Sequence, residues 1–390
     1  MLELASLGAK LLHPRAVEIA KNYGVQLVVR SSWTDDPGTW VVSPTPRSRP
    51  LTGLEIARSV DAVEFTTNQA KIAILQVPDR AGIAGQLFGA LAKEHVDVDL
   101  IVQSIHEGNT NDIAFTVNKQ AIGRAQAVAE AISPVLHDNF IPSHDRVLVA
   151  GDIAKVSIVG AGMIGRPGVA AQMFRVLADA GINIQMISTS EIKISCVIAA
   201  DDCDRAISAL CQKFEISTSV TEGIDPKQVA APSVRGVALD LDRARLAILQ
   251  VPDRPGMAAE LFGILAANNI SLDAIIQSQR TRVINGVATR DIACTVAQGD
   301  AADAKRVLEA ATTQLGCGAV VVDESIAKVS IVGAGMISNP GVAAQMFNCL
   351  AAAGINIQMI STSEIKISCV VARDRGIDAL KTIHRAFGLG

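Results

Sequence analysis

The residues of this 390-residue chain that most resemble a chemical motif form a glycine-rich turn at positions 160–165. The segment GAGMIG, from Gly160 to Gly165, follows the β-branched run VSIV and has the G-x-G-x-x-G spacing of a dinucleotide-binding turn. An NAD-binding oxidoreductase is therefore one hypothesis. The copy of this turn at 333–338 reads GAGMIS and lacks the third glycine, which weakens that hypothesis. The alternative is a tight strand-to-helix turn with exposed backbone N–H groups.

Two other turns could bind an amino acid. DRAGIA at 79–84 and DRPGMA at 253–258 each enter a helix through a glycine, which leaves backbone donors free at the positive end of the helix dipole. A carboxylate could bind there, and Asp79 and Asp253 could bind an ammonium. Further acceptors follow on the next strand of each copy: Asp99 and Gln103, and Asp273 and Gln277. The alternative is that these side chains are helix caps and exposed strand positions.

Catalytic motifs are not found in the sequence. The six histidines form no HExxH pattern, and the seven cysteines are scattered without CxxC spacing, as expected of small buried hydrophobic residues in a reducing compartment. There is no GxSxG segment. The neighbouring acids Asp201 and Asp202 begin a predicted helix and suit its dipole. The repeated part of the chain is therefore expected to bind ligands rather than to catalyse a reaction.

Composition narrows the functional class. Hydrophobic residues make up 49% and charged residues 19%, so the chain can form buried cores. The net charge of −4 and the 3% of aromatic residues argue against a nucleic-acid-binding protein. No apolar run reaches the ~18 residues of a membrane helix, and the N-terminus lacks the features of a signal peptide. These features predict a cytoplasmic protein.

A long internal repeat sets the domain organisation. The octapeptide at 73–80 recurs at 247–254, and residues 154–201 match 327–374 at 41 of 48 positions. The two offsets differ by one residue, so a block of about 170 residues has been duplicated as a whole. A repeat of this length indicates tandem domains rather than a solenoid.

Each half of the block has the pattern of a ferredoxin-like unit. In the second half, strands are predicted at 156–159, 182–188 and 192–199, and helices at 167–181 and 201–214. The first half and both copies have the same order. The sequence therefore predicts an α+β fold of four tandem βαββαβ units with antiparallel sheets.

The first 50 residues do not share this pattern. A helix is predicted at 4–24 and a strand at 25–32, followed by a Pro-rich loop. This segment is too short to form its own core and is interpreted as the end of another domain.

Several of these motifs resemble one family. LGAKLLHPRAVEIA at 7–20 and VRSSW…GT at 29–39 resemble the last helix and strand of the kinase domain of aspartate kinase. VPDRAGIA, VPDRPGMA, VGAGM…PGVAAQMF and NIQMISTSEIKIS resemble its amino-acid-binding ACT domains. The resemblance covers essentially the whole chain. It implies two duplicated, interlocked ACT pairs after a short remnant of an α/β kinase domain.

The resemblance also implies a division of the chain into segments. The strand before each pair is expected to complete the sheet of that pair's later unit. The expected segments are 1–50, kinase-domain remnant; 51–69, linker and completing strand; 70–150, ACT unit 1; 151–222, unit 2; 223–243, linker and completing strand; 244–323, unit 3; and 324–390, unit 4.

The function implied is feedback regulation. Aspartate kinase makes 4-phospho-L-aspartate from ATP and L-aspartate, the first step towards lysine, threonine and methionine, and is inhibited by lysine, threonine or both. The family's K-F-G-G-[TS] motif is not present, and of its nucleotide-contacting residues only Lys10 is matched. The chain is therefore expected to be non-catalytic, either a fragment or an internally started regulatory subunit. No cofactor is expected in this chain, and ATP and Mg are expected in the complete enzyme.

Expected partners are lysine and/or threonine, a kinase domain or catalytic subunit, and other ACT units in an oligomer, without nucleic acid or membrane. Carried over by motif, the effector pockets lie where two ACT sheets pack side by side. Their residues would be Asp79, Gly82, Ile83, Ala84, Asp99, Gln103, Met163, Asn183, Ile184, Ser188 and Glu191, with Asp253, Gly256, Met257, Ala258, Asp273, Gln277, Met336, Asn356, Ile357, Ser361 and Glu364.

Overall fold

The computed structural model describes most of the chain. The described residues are 1–6, 12–13, 16–17, 19–20, 23–42, 59–106, 110–137, 146–160, 163, 166–190, 192–216, 219–221, 233–333, 336, 339, 341–363 and 365–389. Lys10, Glu191 and Glu364, and the central residues of both glycine-rich turns, lie outside them.

Strands and helices alternate through the first half as the ferredoxin-like pattern predicts. The N-terminal segment contains α1 (Leu2–Ser6), β1 (Leu27–Val29) and β2 (Thr39–Val41). Units 1 and 2 contain β3 (Ala62–Pro78), α2 (Ile83–Lys93), β4 (Val98–His106), β5 (Thr110–Asn118), α3 (Ile122–Leu136), β6 (Val147–Val159), α4 (Val169–Asp179), β7 (Met186–Thr189), β8 (Lys193–Ala199), α5 (Cys203–Phe214) and β9 (Ser219–Thr221).

The second half repeats this order, but two strands stand where the first half has the long strand β3, and two where it has β6. It contains β10 (Gly236–Asp240), β11 (Arg243–Pro252), α6 (Met257–Ala267), β12 (Ile275–Gln277), β13 (Arg282–Ile284), β14 (Val287–Ala297), α7 (Ala301–Leu315), β15 (Val320–Asp323), β16 (Ile326–Val332), α8 (Val342–Ala352), β17 (Met359–Ser363), β18 (Lys366–Ala372) and α9 (Gly376–Ala386).

The first helix of every unit begins after a glycine in the left-handed region. Gly82, Gly168, Gly256 and Gly341 have φ of 100°, 100°, 99° and 105°. A side chain with a Cβ is disfavoured at such an angle, so the glycine is required where the chain turns from strand to helix. The recurring P-G and A-G turns in the sequence thus position the N-terminus of each of these helices.

The sheets are antiparallel apart from one short pair. β10, β16, β18, β17, β4, β5, β3, β6, β8 and β7 are neighbours in that order in an 11-stranded sheet, with β9 parallel to β3. β12, β14, β11 and β15 form a second sheet, with β13 beside β14. Residues 62–66 of β3 pair with β6, and β10 pairs with β16, so each of these segments adds a strand to unit 2 or unit 4.

Units pair across the duplication rather than within each copy. β17 of unit 4 pairs with β4 of unit 1, and α8 packs against α2. β7 of unit 2 likewise lies beside β12 of unit 3, and α4 packs against α6. Each helix pair includes a ring contact across the seam, with centroids 5.4 Å apart for Phe88 and Phe347 and 5.7 Å apart for Phe174 and Phe262.

The three largest buried cores among the described residues result from this arrangement. One lies between sheet and helices in units 1 and 4, and another lies between sheet and helices in units 2 and 3. A third core joins the two halves through the sheet faces that carry no helices, and contains Leu100, Val102, Met186, Ile276 and Met359 among others. The four units therefore form one packed body with helices on the outside.

Two expectations for the N-terminal segment are wrong. The predicted helix at 4–24 is interrupted, because Leu12 and His13 are not helical; His13 precedes Pro14, and a residue before proline disfavours the α conformation. The predicted strand at 25–32 is only three residues long, and it pairs with β2, which was expected to be loop. Within the described residues, no helix is long and apolar enough to span a membrane.

Candidate functional site

Two related clefts lie at the seams between paired units. Cleft A lies between residues 82–85 of unit 1 and 355–357 of unit 4, and encloses about 270 Å³. Cleft B lies between residues 256–259 of unit 3 and 182–184 of unit 2, and encloses about 410 Å³.

Backbone donors form one wall of each cleft. In α2 the first backbone bond along the helix runs from Gln86 N to Gly82 O at 2.9 Å, and in α6 from Glu260 N to Gly256 O at 2.9 Å. No side chain caps either helix. The N–H groups of the first turn therefore point towards the cleft, where the helix dipole favours an anion.

A carboxylate beside cleft A links the two units. Asp79 Oδ1 accepts from Asn356 Nδ2 of unit 4 at 2.7 Å and from Asn111 Nδ2 of unit 1 at 3.1 Å. Asn111 and Asn356 both line the cleft. Cleft A thus combines backbone donors at a helix terminus with a carboxylate beside it.

The carboxylate beside cleft B has a different partner. Asp253 Oδ1 accepts from Asn183 Nδ2 of unit 2 at 3.2 Å, matching the cross-seam bond of cleft A. Asp253 Oδ2, however, forms an ion pair with Arg290 Nε at 2.9 Å. Both side chains are largely buried, so little water screens this pair.

A buried glutamine completes each cleft. Gln103 lines cleft A and donates from Nε2 to the carbonyl oxygen of Ile357 at 2.8 Å, which is another bond across the seam. Gln277 is buried and lines cleft B. The apolar walls come from Ile83, Ala84 and Ile357 in cleft A and from Met257, Ala258 and Ile184 in cleft B.

A third cleft, cleft C, lies at the same seam as cleft B but at the opposite helix. It adjoins Gly168 at the start of α4, faces residues 270–273 of unit 3, and encloses about 630 Å³. Met163 and Asp273 line it. Several residues of the adjacent glycine-rich turn lie outside the described part of the chain.

Asp99 and Asp273 do not join Asp79 and Asp253, although the motifs grouped them. Asp99 pairs with the buried Lys155, and Asp273 with the buried Lys328. Burial would raise the pKa of the Asp273 carboxyl, but Lys328, Arg243 and Lys366 hold it well below its ordinary value.

The remaining predicted residues lie at the seams or between the sheets. Ser188 Oγ donates to the carbonyl oxygen of Thr362 at 2.5 Å, which connects β7 to β17. Ser361 is buried and pairs with Val102 of β4. Met336 is buried in the core of units 1 and 4.

The glycine-rich turn at 160–165 does not lie in the framework that a dinucleotide site needs. β6, which leads into it, pairs antiparallel with β8, and β8 pairs antiparallel with β7. The parallel βαβ arrangement that holds a pyrophosphate is therefore not found among the described strands around this turn. Gly160 N donates to Ile192 O at 2.9 Å, so its role in the structure is that of a turn.

Four residues near the clefts were not predicted from the sequence. Asn111 and Arg290 occupy matching positions before the shared sequence DIA, and each contacts the cleft aspartate. Lys71 of unit 1 and Arg245 of unit 3 also match, and each lies close enough to the other half's cleft aspartate to interact with its charge. Aligning the copies would have revealed the first difference, but only the folded chain reveals the second.

Comparison with known proteins places the chain in a family. Two models, both described as the ACT domain, match in alternation: one at 71–137 and 245–312, the other at 156–214 and 329–387. An aspartokinase of Thermus thermophilus is 42% identical over 218 residues, which are 55% of this chain and 50% of that protein. The chain belongs to the aspartate kinase family. Within this family it carries the regulatory ACT region, as four units in two duplicated pairs.

Two further aspartate kinases are similar. Aspartokinase 2 of Bacillus subtilis is 39% identical over 217 residues, 56% of this chain and 50% of that protein. The crystal structure of aspartate kinase from Synechocystis is 58% identical and superposes with a TM-score of 0.91, covering 100% of this chain and 66% of that one. The chain spans about half the length of the curated relatives it matches. These matches confirm the family resemblance and the four-unit ACT fold.

Proposed function

We propose that this ACT region binds lysine and/or threonine at clefts A and B and thereby regulates an aspartate kinase by feedback. The enzyme regulated would phosphorylate L-aspartate with ATP and Mg, in the first step towards these amino acids. One observation carries the proposal: each cleft sets backbone donors at a helix terminus near a carboxylate. This is the complement of an α-carboxylate and an ammonium.

The residues divide the recognition between them. The N–H groups at the start of α2 would bind the carboxylate of the effector, and Asp79 its ammonium. Gln103 and Asn356 lie on the same cleft and would fix its orientation by hydrogen bonds. In cleft B, the start of α6, Asp253, Gln277 and Asn183 would act in the same way.

Regulation would follow because each cleft lies between two units. Asn356 reaches from unit 4 to Asp79 of unit 1, so an ammonium at Asp79 competes with or reorders a bond that holds the seam. An effector that binds one packing of the units more tightly shifts the population towards that packing. The coupling need only be about 1–3 kcal/mol to change the affinity at a second site severalfold.

The N-terminal segment supplies a route to a kinase domain or catalytic subunit. Glu3 of α1 pairs with Lys366 of unit 4 at 3.3 Å, and both side chains are buried. Leu2, Ala5 and Val17 form a small core that also contacts Ile192 of unit 2. A change in the seams would therefore reach the segment that resembles the end of the kinase domain.

Isothermal titration calorimetry with L-lysine and L-threonine tests this function. We expect saturable binding of at least one of them by the folded chain. Asp79→Asn and Asp253→Asn, made singly, should each remove one class of site, while D-lysine serves as the stereochemical control. Absence of heat from both L-amino acids with a sample folded by circular dichroism would refute the proposal.

An ATP- and aspartate-dependent hydroxamate assay tests the catalytic role separately. We expect the isolated chain to form no acyl phosphate, because phosphoryl transfer needs many positioned groups and only Lys10 matches the family's nucleotide site. Measurable turnover by the purified chain would contradict a purely regulatory role.

A further inference from the structure

We infer that the two clefts differ in ligand: cleft A takes an amino acid with a cationic side chain, and cleft B one with an uncharged side chain. This inference rests on the proposed function and adds which class of amino acid each cleft prefers. It is carried by the residues at which the two copies have diverged next to the cleft aspartates.

The divergence lies at one matched position. Ile113 pairs with Ile74 in the first copy and Ile292 with Ile248 in the second, which aligns Asn111 with Arg290. Both side chains contact the aspartate of their own cleft and both line that cleft. A neutral amide in one copy therefore corresponds to a permanent cation in the other.

Cleft A keeps its capacity to accept hydrogen bonds. Asp79 receives its described bonds from the two amides, so its negative charge is not neutralised by an ion pair among the described residues. Asn111 is 2% exposed, and its Oδ1 is a buried acceptor without a hydrogen-bond partner in the described structure. Asn111 Nδ2 already donates to Asp79, so Oδ1 is the polar atom of this side chain that still lacks a partner. The side-chain ammonium of a ligand could donate a hydrogen bond to it.

The nearby cation of cleft A is paired through one of its two terminal nitrogens. Arg245 interacts with the charge of Asp79, but its Nη2 forms an ion pair with Asp323 Oδ2 at 3.0 Å. Asp323 pairs with Arg245 between strands, and Ala150 pairs with Lys71 in the same way in the first copy. Lys71, which lies near cleft B, therefore has no acidic residue at the position where Arg245 has Asp323.

Cleft B has an excess of positive charge. Arg290 Nε pairs with Asp253 at 2.9 Å, and Lys71 Nζ lies 3.2 Å from Gln185 Oε1, two residues along the chain from Asn183. Burial and, next in size, repulsion by Arg290 lower the pKa of Lys71 to about 8, and the attraction of Asp253 offsets only part of this shift. A second ammonium brought into this cleft would meet the same repulsion.

Arginines that follow the cleft aspartates do not discriminate between the clefts. Arg80 and Arg254 occupy matching positions and each lines its own cleft. Both clefts also share the helix terminus and the asparagine across the seam. The preference therefore depends on two differences. Cleft A has the neutral Asn111 where cleft B has the cationic Arg290, and Arg245 near cleft A has an acidic partner, whereas Lys71 near cleft B has Gln185. Specificity of this kind combines attraction in one site with repulsion in the other.

Calorimetric titration of the whole chain tests this inference with three probes: L-lysine, L-norleucine, which lacks the side-chain ammonium, and L-threonine. In the wild-type chain we expect lysine to bind at cleft A alone and more tightly than norleucine by at least about tenfold. Arg290→Gln should create an additional lysine site, and Arg290→Lys, which keeps the charge, should not.

A second variant examines cleft A. Asn111→Leu removes the buried acceptor and should weaken lysine binding by about tenfold while changing norleucine binding by less than about threefold. Circular dichroism and the melting temperature establish that each variant is folded. If Asn111→Leu does not fold, the pair Arg290→Gln and Arg290→Lys still decides the question.

The outcomes separate the inference from the proposed function. Binding of lysine and norleucine with equal affinity, or no additional lysine site in Arg290→Gln, would overturn the inference while amino-acid binding stood. Failure of the wild-type chain to bind any of the three probes would overturn both.

Discussion

Replacing Asp273 by asparagine should destabilise the protein strongly, because it leaves a buried lysine without a counter-charge. The side chains of Lys328 and Asp273 are 2% and 6% exposed, and they form a direct ion pair between unit 4 and unit 3. Arg243 Nε also lies 4.0 Å from Asp273 Oδ2 and is itself paired with Asp240 Oδ2 at 2.7 Å. An amide at position 273 would preserve shape while removing the charge.

The magnitude follows from this burial. Removing one partner of a buried ion pair typically costs about 3–5 kcal/mol, because the remaining charge stays desolvated. The duplicated copy provides a matched control: Lys155 is equally buried, but its partner Asp99 is 21% exposed. Water can screen that site, so Asp99→Asn should cost less, on the order of 1 kcal/mol.

The pH dependence has a defined sign. The pKa of Asp273 is lower in the folded chain than its ordinary value of 3.8, so the unfolded chain binds its proton first as the pH falls. The stability contributed by Asp273 is therefore fully present above pH 3.8 and is lost as the pH drops towards the folded pKa. Asp273→Asn should lack this part of the acid-induced loss.

Urea unfolding followed by far-ultraviolet circular dichroism measures these effects at neutral pH and along an acid series. A double variant, Asp273→Leu with Lys328→Met, should recover most of the lost stability, since an apolar pair of similar volume needs no counter-charge. The reasoning fails if Asp273→Asn costs less than about 1 kcal/mol, or if Asp99→Asn costs as much.

Three other perturbations have expected outcomes. Gly85→Ala should be less stable than Gly263→Ala by about 1 kcal/mol in thermal melts, because a Cβ at Gly85 would lie 2.5 Å from Asn348 Oδ1 and force that side chain to shift, whereas a Cβ at Gly263 meets nothing within 4 Å. Between pH 8 and pH 10.5 the unfolded chain binds a proton at Lys71 that the folded chain has lost, so the free energy of unfolding in urea should rise by up to about 3 kcal/mol over this range. Lys71→Met should remove this rise. Glu3→Gln should expose α1 to faster amide hydrogen exchange, because its lysine partner in unit 4 loses a buried counter-charge.

Much of the fold could be predicted from the sequence, because its signals are local. The periodicity of strands and helices depends only on neighbouring residues, and so does the glycine before the first helix of each unit. The duplication shows each of these signals twice. The helix at 201–214 illustrates the precision: the structure has a 3₁₀ turn at Ala200–Asp202 followed by a helix at Cys203–Phe214. The N-terminal segment was predicted less well, since a three-residue strand has too short a pattern to recognise.

The candidate site could be predicted only in part. The starts of α2 and α6, with Asp79 and Asp253, were identified from turn chemistry, and they do line or adjoin the clefts. Asp99 was grouped with them because it follows on the next strand, but its side chain pairs with Lys155 instead. The sequence shows which residues alternate along a strand. It does not show which buried lysine or arginine lies beside each acidic side chain in the folded chain.

The sequence by itself determined four α+β units, their order and the glycine turns that expose helix donors. Only the tertiary structure decided that unit 1 packs on unit 4 and unit 2 on unit 3, which brings Asn356 to Asp79 across 277 positions of the chain. It also decided that Arg290 forms an ion pair with one oxygen of Asp253, while Asp79 accepts from the amides of Asn111 and Asn356. The physical reason is that the local pattern of apolar residues shows that a face is buried. Which distant segment packs against that face is decided only when the whole chain folds.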